Sequence, residues 1–145
     1  MRATFRWLTA IVFALVVVQV GLAAFGAFDA VHKSESAAIG KKTTEDAFGA
    51  HAILGSLIVL LMVVLLIVAA IGSLGDAKVK WAGAIVGLGI VQYLLGVVST
   101  SAPALGFLHG VNALAIFVAT GMLSHRTWKA ERTAPSDTAP VRSPA

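Results

Sequence analysis

Two histidines, His51 and His109, stand inside long uncharged hydrophobic stretches. An ionisable side chain at such a place is costly in a bilayer, which makes it a candidate functional group and calls for a named partner. Each lies eight residues beyond a helix-starting signal: Thr43, with Glu45 and Asp46 after it, and Ser101, with Pro103 after it. Eight residues at ~1.5 Å each put both imidazoles roughly 12 Å along their helices. The spacing therefore predicts a facing pair at one level, each histidine the other's partner. Two imidazoles facing across a bundle can supply both axial ligands of a haem iron, and bundle cores are a usual place for such sites. A zinc site would want a third and fourth ligand, and no carboxylate or third histidine falls at that depth. The chain has no cysteine, so an iron or copper ligand must be His, Met or an oxygen group.

The residues around the pair are small. Gly49 and Gly55 flank His51; Gly106, Gly110 and Ala113 flank His109, leaving room for a flat, bulky group or for close helix packing without any ligand. Asn112, one turn beyond His109, either orients an imidazole N–H or bonds across a helix interface. The expected cofactor contacts are thus His51, His109, Gly55, Gly106, Gly110 and Asn112, with the two histidines on the metal. Gln19 and Gln92 fall nearer mid-membrane and read as an interhelical polar pair, with contact to a ligand the alternative. His32 and His125, beside Lys33 and Arg126, read as solvated interface residues. The competing reading of His51 and His109 themselves is that neutral imidazoles, bonded to carbonyls or amides, hold helices together.

The elements that must position these groups are long. Of 145 residues, 58% are hydrophobic and 12% charged, and the mean hydropathy of +0.89 is that of a membrane protein. Charge is absent from Trp7 to Phe28, from Ala47 to Gly75 and from Trp81 to His125, the last run split by Ser99-Thr100-Ser101-Ala102-Pro103. Each piece exceeds or meets the ~20 residues of a spanning helix. An all-α, four-helix polytopic bundle is expected, with helices over about 6–30, 44–74, 80–99 and 102–125 in a domain of residues 1–132. The first run is too long for a signal peptide's apolar region of ~7–15 residues and reads as a retained helix. Residues 133–145, with three prolines, read as a disordered tail.

Arg2, Arg6, Lys78, Lys80, Arg126, Lys129, Arg132 and Arg142 fall on one side of the four helices, against Lys33, Lys41 and Lys42 on the other. By the positive-inside rule both termini are cytoplasmic, in a multi-pass plasma-membrane protein, and the net charge of +4 is a topology signal rather than a nucleic-acid surface. Trp7, Trp81 and Trp128 sit beside the same basic face, as interfacial anchors do.

The chain also reads as two copies of a helical hairpin. Arg6-Trp7 and Lys80-Trp81 open the copies; Gln19 and Gln92 follow the tryptophans by twelve and eleven residues, and Phe48-Gly49-Ala50-His51 answers to Phe107-Leu108-His109. Such copies would be related by a pseudo-twofold along the membrane normal.

Val91-Gln92-Tyr93-Leu94-Leu95-Gly96-Val97-Val98, a short proline-containing loop, and Leu108-His109-Gly110-Val111-Asn112-Ala113-Leu114 resemble the third and fourth helices of one half of haem A synthase. The resemblance spans roughly Trp7 to His125, one four-helix half of a family built from two. It implies that His51 and His109 take axial-ligand positions for haem on the outer side of the membrane. Two features of the family are absent: the glutamate three residues before the first histidine, a place held here by Phe48, and the external cysteine pair.

The expectation is a membrane cytochrome-like protein holding one haem b between His51 and His109, in electron transfer or haem handling with a redox partner or haem donor or acceptor. Lys41 and Lys42 would either pair with the haem propionates or be ordinary solvated loop residues. The alternatives are a cofactor-free structural subunit and, below it, a haem-modifying enzyme that works as a homodimer.

Overall fold

The structure is a computed structural model and describes residues 1–36 and 38–132. Four α-helices follow in order, α1 (Arg2–Ser34), α2 (Lys41–Ile71), α3 (Asp76–Ser99) and α4 (Pro103–Arg132), and no strand occurs among the described residues. All four are long and apolar enough to cross a membrane, as suits a multi-pass membrane protein. The expectation for residues 133–145 lies outside the described residues.

The helices form a closed ring: α1 packs on α2 and α4, and α3 packs on α2 and α4. The diagonal pairs, α1 with α3 and α2 with α4, have no close backbone approach among the described residues. One end of the bundle, the terminal end, holds the start of α1, the α2–α3 turn and the end of α4. The other, the loop end, holds the α1–α2 and α3–α4 connections.

Several helix ends differ from the sequence expectation. Thr43 does not start α2: Gly40, extended at φ −102° and ψ 174°, stands at the N-cap, and the helix begins at Lys41. Lys41 and Lys42 then reach Glu45 and Asp46 one turn on, at 3.6 and 3.0 Å, which favours an early start. Pro103 is the first residue of α4, where its missing N–H costs nothing. α1 runs on to Ser34, with Lys33 and Asp29 paired at 2.6 Å, and α4 runs through its basic residues to Arg132. The α2–α3 turn is tight: Ser73 takes a left-handed φ of 48°, Leu74 N–H bonds Ala69 O at 3.3 Å, and Gly75 (φ 95°) opens α3.

Packing is uneven along the bundle. Phe5, Val12 and Val16 of α1, Ile58, Met62, Leu65 and Ala69 of α2, Ala82 and Ile85 of α3, and Ile116 and Leu123 of α4 form one buried cluster. All of them lie on the terminal side of His51 and His109 and of Gln19 and Gln92. Small residues let the helices close there, with Gly89 against the Met62 sulfur and Gly121 against the Phe13 ring. Towards the loop end the buried residues are small, Gly26 and Ala47. Large apolar side chains such as Phe28, Ile53 and Phe107 point outwards there, each about three-quarters exposed at 76%, 75% and 73%. Lipid tails, as apolar as these side chains, are their natural neighbours.

Candidate functional site

In the stretch of the bundle beyond that core, α2 and α4 each send one imidazole across the diagonal. The ring centres of His51 and His109 are 6.2 Å apart, with planes inclined at 63°. These rings meet although their helices give them unequal depths. His51 is ten residues past the start of α2 and His109 six past that of α4, about 15 Å and about 9 Å of rise. The equal spacing from helix starts inferred from the sequence is therefore absent, and the offset between the two helices makes up the difference.

Each histidine is held by the glutamine of the neighbouring helix, one arrangement per hairpin. His51 Nδ1 lies 3.2 Å from the backbone carbonyl of Gln19, whose side-chain amide donates to the backbone carbonyl of His51 at 2.7 Å. His109 Nδ1 lies 3.1 Å from the backbone carbonyl of Gln92, whose amide nitrogen is 3.1 Å from His109 Nε2. A carbonyl only accepts, so both Nδ1 atoms carry the proton in these bonds and both Nε2 atoms keep a lone pair. The amide of Gln92 donates into the lone pair of His109. Asn112 donates in turn to Gln92 Oε1 at 2.8 Å and to Leu88 O at 3.0 Å. The first hairpin has Leu54 where the second has Asn112, three residues past the histidine. Gln19 Oε1 is correspondingly buried without a hydrogen-bond partner.

This geometry corrects the reading of the glutamines. They are not paired with each other at a deeper level; each binds the histidine of its own hairpin. Gln19 lies seventeen residues past Arg2 and fifteen before Ser34, so the cluster is level with the middle of α1. Counting depth along α2 and α4 alone could not show this. The signal available in the sequence was the matched position of a glutamine in each first helix and a histidine in each second.

The expected glycine contacts divide. A Cβ on Gly55 would meet the Gln19 amide at 2.8 Å, so Gly55 makes room for the glutamine rather than facing the imidazole pair. A Cβ on Gly106 would lie 4.0 Å from Ser99, and one on Gly110 or Gly49 would meet nothing within 4 Å. The glycine against an imidazole is Gly96 of α3, where a Cβ would lie 3.2 Å from His109 Cε1. Phe48 stands edge-on to His51 at 6.3 Å between ring centres. Glu45 and Asp46 are exposed and turned to Lys41 and Lys42, and those lysines are engaged on their own helix. His32 is exposed beside Glu35 at 3.7 Å, and His125 is exposed. No group of three or more His, Asp or Glu side chains able to hold a metal ion occurs among the described residues.

The fold and site thus define a four-helix, membrane-type bundle with two glutamine-buttressed histidines meeting across its diagonal. A family described as of unknown function (DUF6220) matches residues 36–100. That stretch contains α2, α3, His51 and Gln92 and ends before His109. No curated protein and no solved structure matches the chain.

Proposed function

We propose that the protein binds one haem b between His51 and His109 and serves in electron transfer or haem handling within the membrane. The observation that carries this reading is the 6.2 Å between the ring centres. Two imidazoles bonded to one ion at ~2.0–2.1 Å, with ring centres ~1.1 Å behind the nitrogens, stand about 6 Å apart. The residues fit the group in two further respects. Each Nδ1 is tied to a backbone carbonyl, the arrangement that fixes the tautomer and orientation of a metal-ligating imidazole. The large buried side chains also end short of the histidines, where a planar apolar group needs room.

Haem bound there would supply one-electron redox chemistry, with bis-imidazole ligation and low polarity setting its potential. The chain's own residues hold the rings. Gln19 and Gln92 fix both tautomers through their carbonyls, and Asn112 orients the Gln92 side chain. Ligation by His109 requires the Gln92 amide to leave Nε2, whereas His51 Nε2 can act without such a change.

Within this reading the two hairpins are repeats, supported by the matched glutamine–histidine pairing. Both termini face the cytoplasm of a plasma-membrane protein, as the basic terminal end favours. A redox partner or a haem donor or acceptor would work with it, and a homodimer would recreate the two-site arrangement implied by the resemblance to haem A synthase. Haem modification ranks below haem holding because Phe48 stands where that family has a carboxylate.

A cofactor-free structural subunit is the second reading. It is favoured by one specific observation: Gln92 already satisfies both ring nitrogens of His109.

The absorption spectrum of protein purified after expression with ample haem decides between them. A Soret band with six-coordinate, low-spin features is expected, and the low-spin form should be lost in both His51→Ala and His109→Ala. Haem-free wild-type protein would leave the structural reading.

A further inference from the structure

The end of the bundle opposite the α1–α2 and α3–α4 loops carries a second feature, unrelated to the histidines. Arg2, Arg6 and Lys78, with Phe5, Leu74 and Thr127, line a cavity of ≈ 300 Å³ between the start of α1, the start of α3 and the end of α4. That volume is at the lower limit of the ~300–1,000 Å³ typical of small-molecule clefts. Three cationic side chains border it, and no carboxylate is among the described residues that line it.

Arg2, Arg6, Lys78, Lys80, Arg126, Lys129 and Arg132 gather at this end of the bundle. A topology signal needs basic residues on one side of the membrane but does not need them around a concavity.

The level of the cavity is marked by aromatic groups. The Arg6 guanidinium lies 4.4 Å from the Trp128 ring centre, Trp7 meets Trp128 edge-on at 5.1 Å, and Arg126 covers Trp81 at 4.8 Å. Tryptophans gather where a bilayer's headgroups lie, and basic pockets between helices at that level suit anionic headgroups. An anion placed in a space bordered by three cationic side chains is attracted by each of them. Phe5 and Leu74 give the same cavity an apolar wall.

We infer that the cavity bounded by Arg2, Arg6 and Lys78 is a binding site for a phosphate group, as carried by an anionic phospholipid headgroup or by free phosphate. Arg6 is held against its tryptophans as the fixed cation, and Arg2 and Lys78 close on the phosphate from α1 and α3. Because α1 and α3 belong to different hairpins, the ligand bridges the two hairpins.

The test uses the full chain in neutral detergent. It is titrated separately with short-chain phosphatidylglycerol, with phosphatidylcholine of equal chain length and with inorganic phosphate, and the thermal unfolding midpoint is followed. Phosphatidylglycerol should raise the midpoint and phosphatidylcholine should not. A rise with phosphatidylglycerol alone assigns the site to lipid; a rise with inorganic phosphate shows that the free anion suffices.

Arg2→Gln/Lys78→Gln should weaken the response, at about fivefold per lost charge. Arg2→Lys/Lys78→Arg should keep it, and Lys33→Gln/Lys42→Gln, which removes two charges from the opposite end, should leave it unchanged. The inference is overturned by no response to either anion or by an equal response to phosphatidylcholine. It is equally overturned by wild-type binding in Arg2→Gln/Lys78→Gln, or by an equal loss in the opposite-end control.

Discussion

Gln92 grips His109 at both ring nitrogens, its carbonyl 3.1 Å from Nδ1 and its amide 3.1 Å from Nε2. One residue therefore fixes the tautomer of the imidazole and also occupies the lone pair that a metal would need. If a metal binds, the first bond would prepare the ligand and the second would compete with the metal.

Removing the competitor should be measurable. In Gln92→Leu the carbonyl contact to Nδ1 remains while the amide is gone. A net hydrogen bond of ~0.5–1.5 kcal/mol no longer opposes ligation, so haem titrated into the apoprotein should bind roughly two- to tenfold more tightly. Weaker binding would show that the amide helps to hold the ring for the haem.

Gly96 and Gly110 separate a glycine that touches the site from one that does not. A side chain at 96 begins 3.2 Å from His109 Cε1, whereas at 110 it meets nothing within 4 Å. Gly96→Val should displace the imidazole and convert the haem spectrum to a high-spin or haem-free form. Gly110→Ala should leave the spectrum unchanged and match or raise stability, since alanine favours a helix by about 1 kcal/mol over glycine.

The first hairpin has its own close approach. A Cβ at Gly26 would stand 2.7 Å from the backbone oxygen of Ala47 and 2.9 Å from the Phe48 ring, and a backbone atom cannot step aside as a side-chain tip can. Gly26→Ala should destabilise the protein by ~1–3 kcal/mol, the usual range for overpacking, read as a lower unfolding midpoint in detergent. Gly49→Ala, with open space around it, is the matched control and should show no loss.

Orientation follows from the basic terminal end. A reporter fused after Arg132 should be cytoplasmic and one inserted at Ile39 external. The reverse pattern would place the cavity bounded by Arg2, Arg6 and Lys78 outside the cell and remove the support that the positive-inside rule gives to the topology.

The four helices were legible because each uncharged run is long enough to span a bilayer. Their ends were not, since polar residues extend them beyond the apolar run: Asp29 with Lys33 in α1, Lys41 with Glu45 in α2. That His51 and His109 lie near one another could be anticipated from their isolation in apolar segments. The part played by Gln19 and Gln92 was signalled only by their matched places in the two hairpins, because it depends on the register of antiparallel neighbours, and counting residues from one helix start contains no information about the next helix. Gly96 was hidden for the same reason: it is far from His109 in sequence and adjacent only across α3 and α4. Gly110, one residue from His109, points elsewhere because successive positions on a helix diverge by about 100°.

The buried cluster running from Phe5 to Leu123 gives the bundle the mechanics of a clothes-peg, clamped on one side and held by fewer large side chains on the other. Opening free energies differ from place to place within a protein, lowest where buried apolar contacts are few. Opening around His51 and His109 should therefore cost less than opening the clamp between α1, α2, α3 and α4.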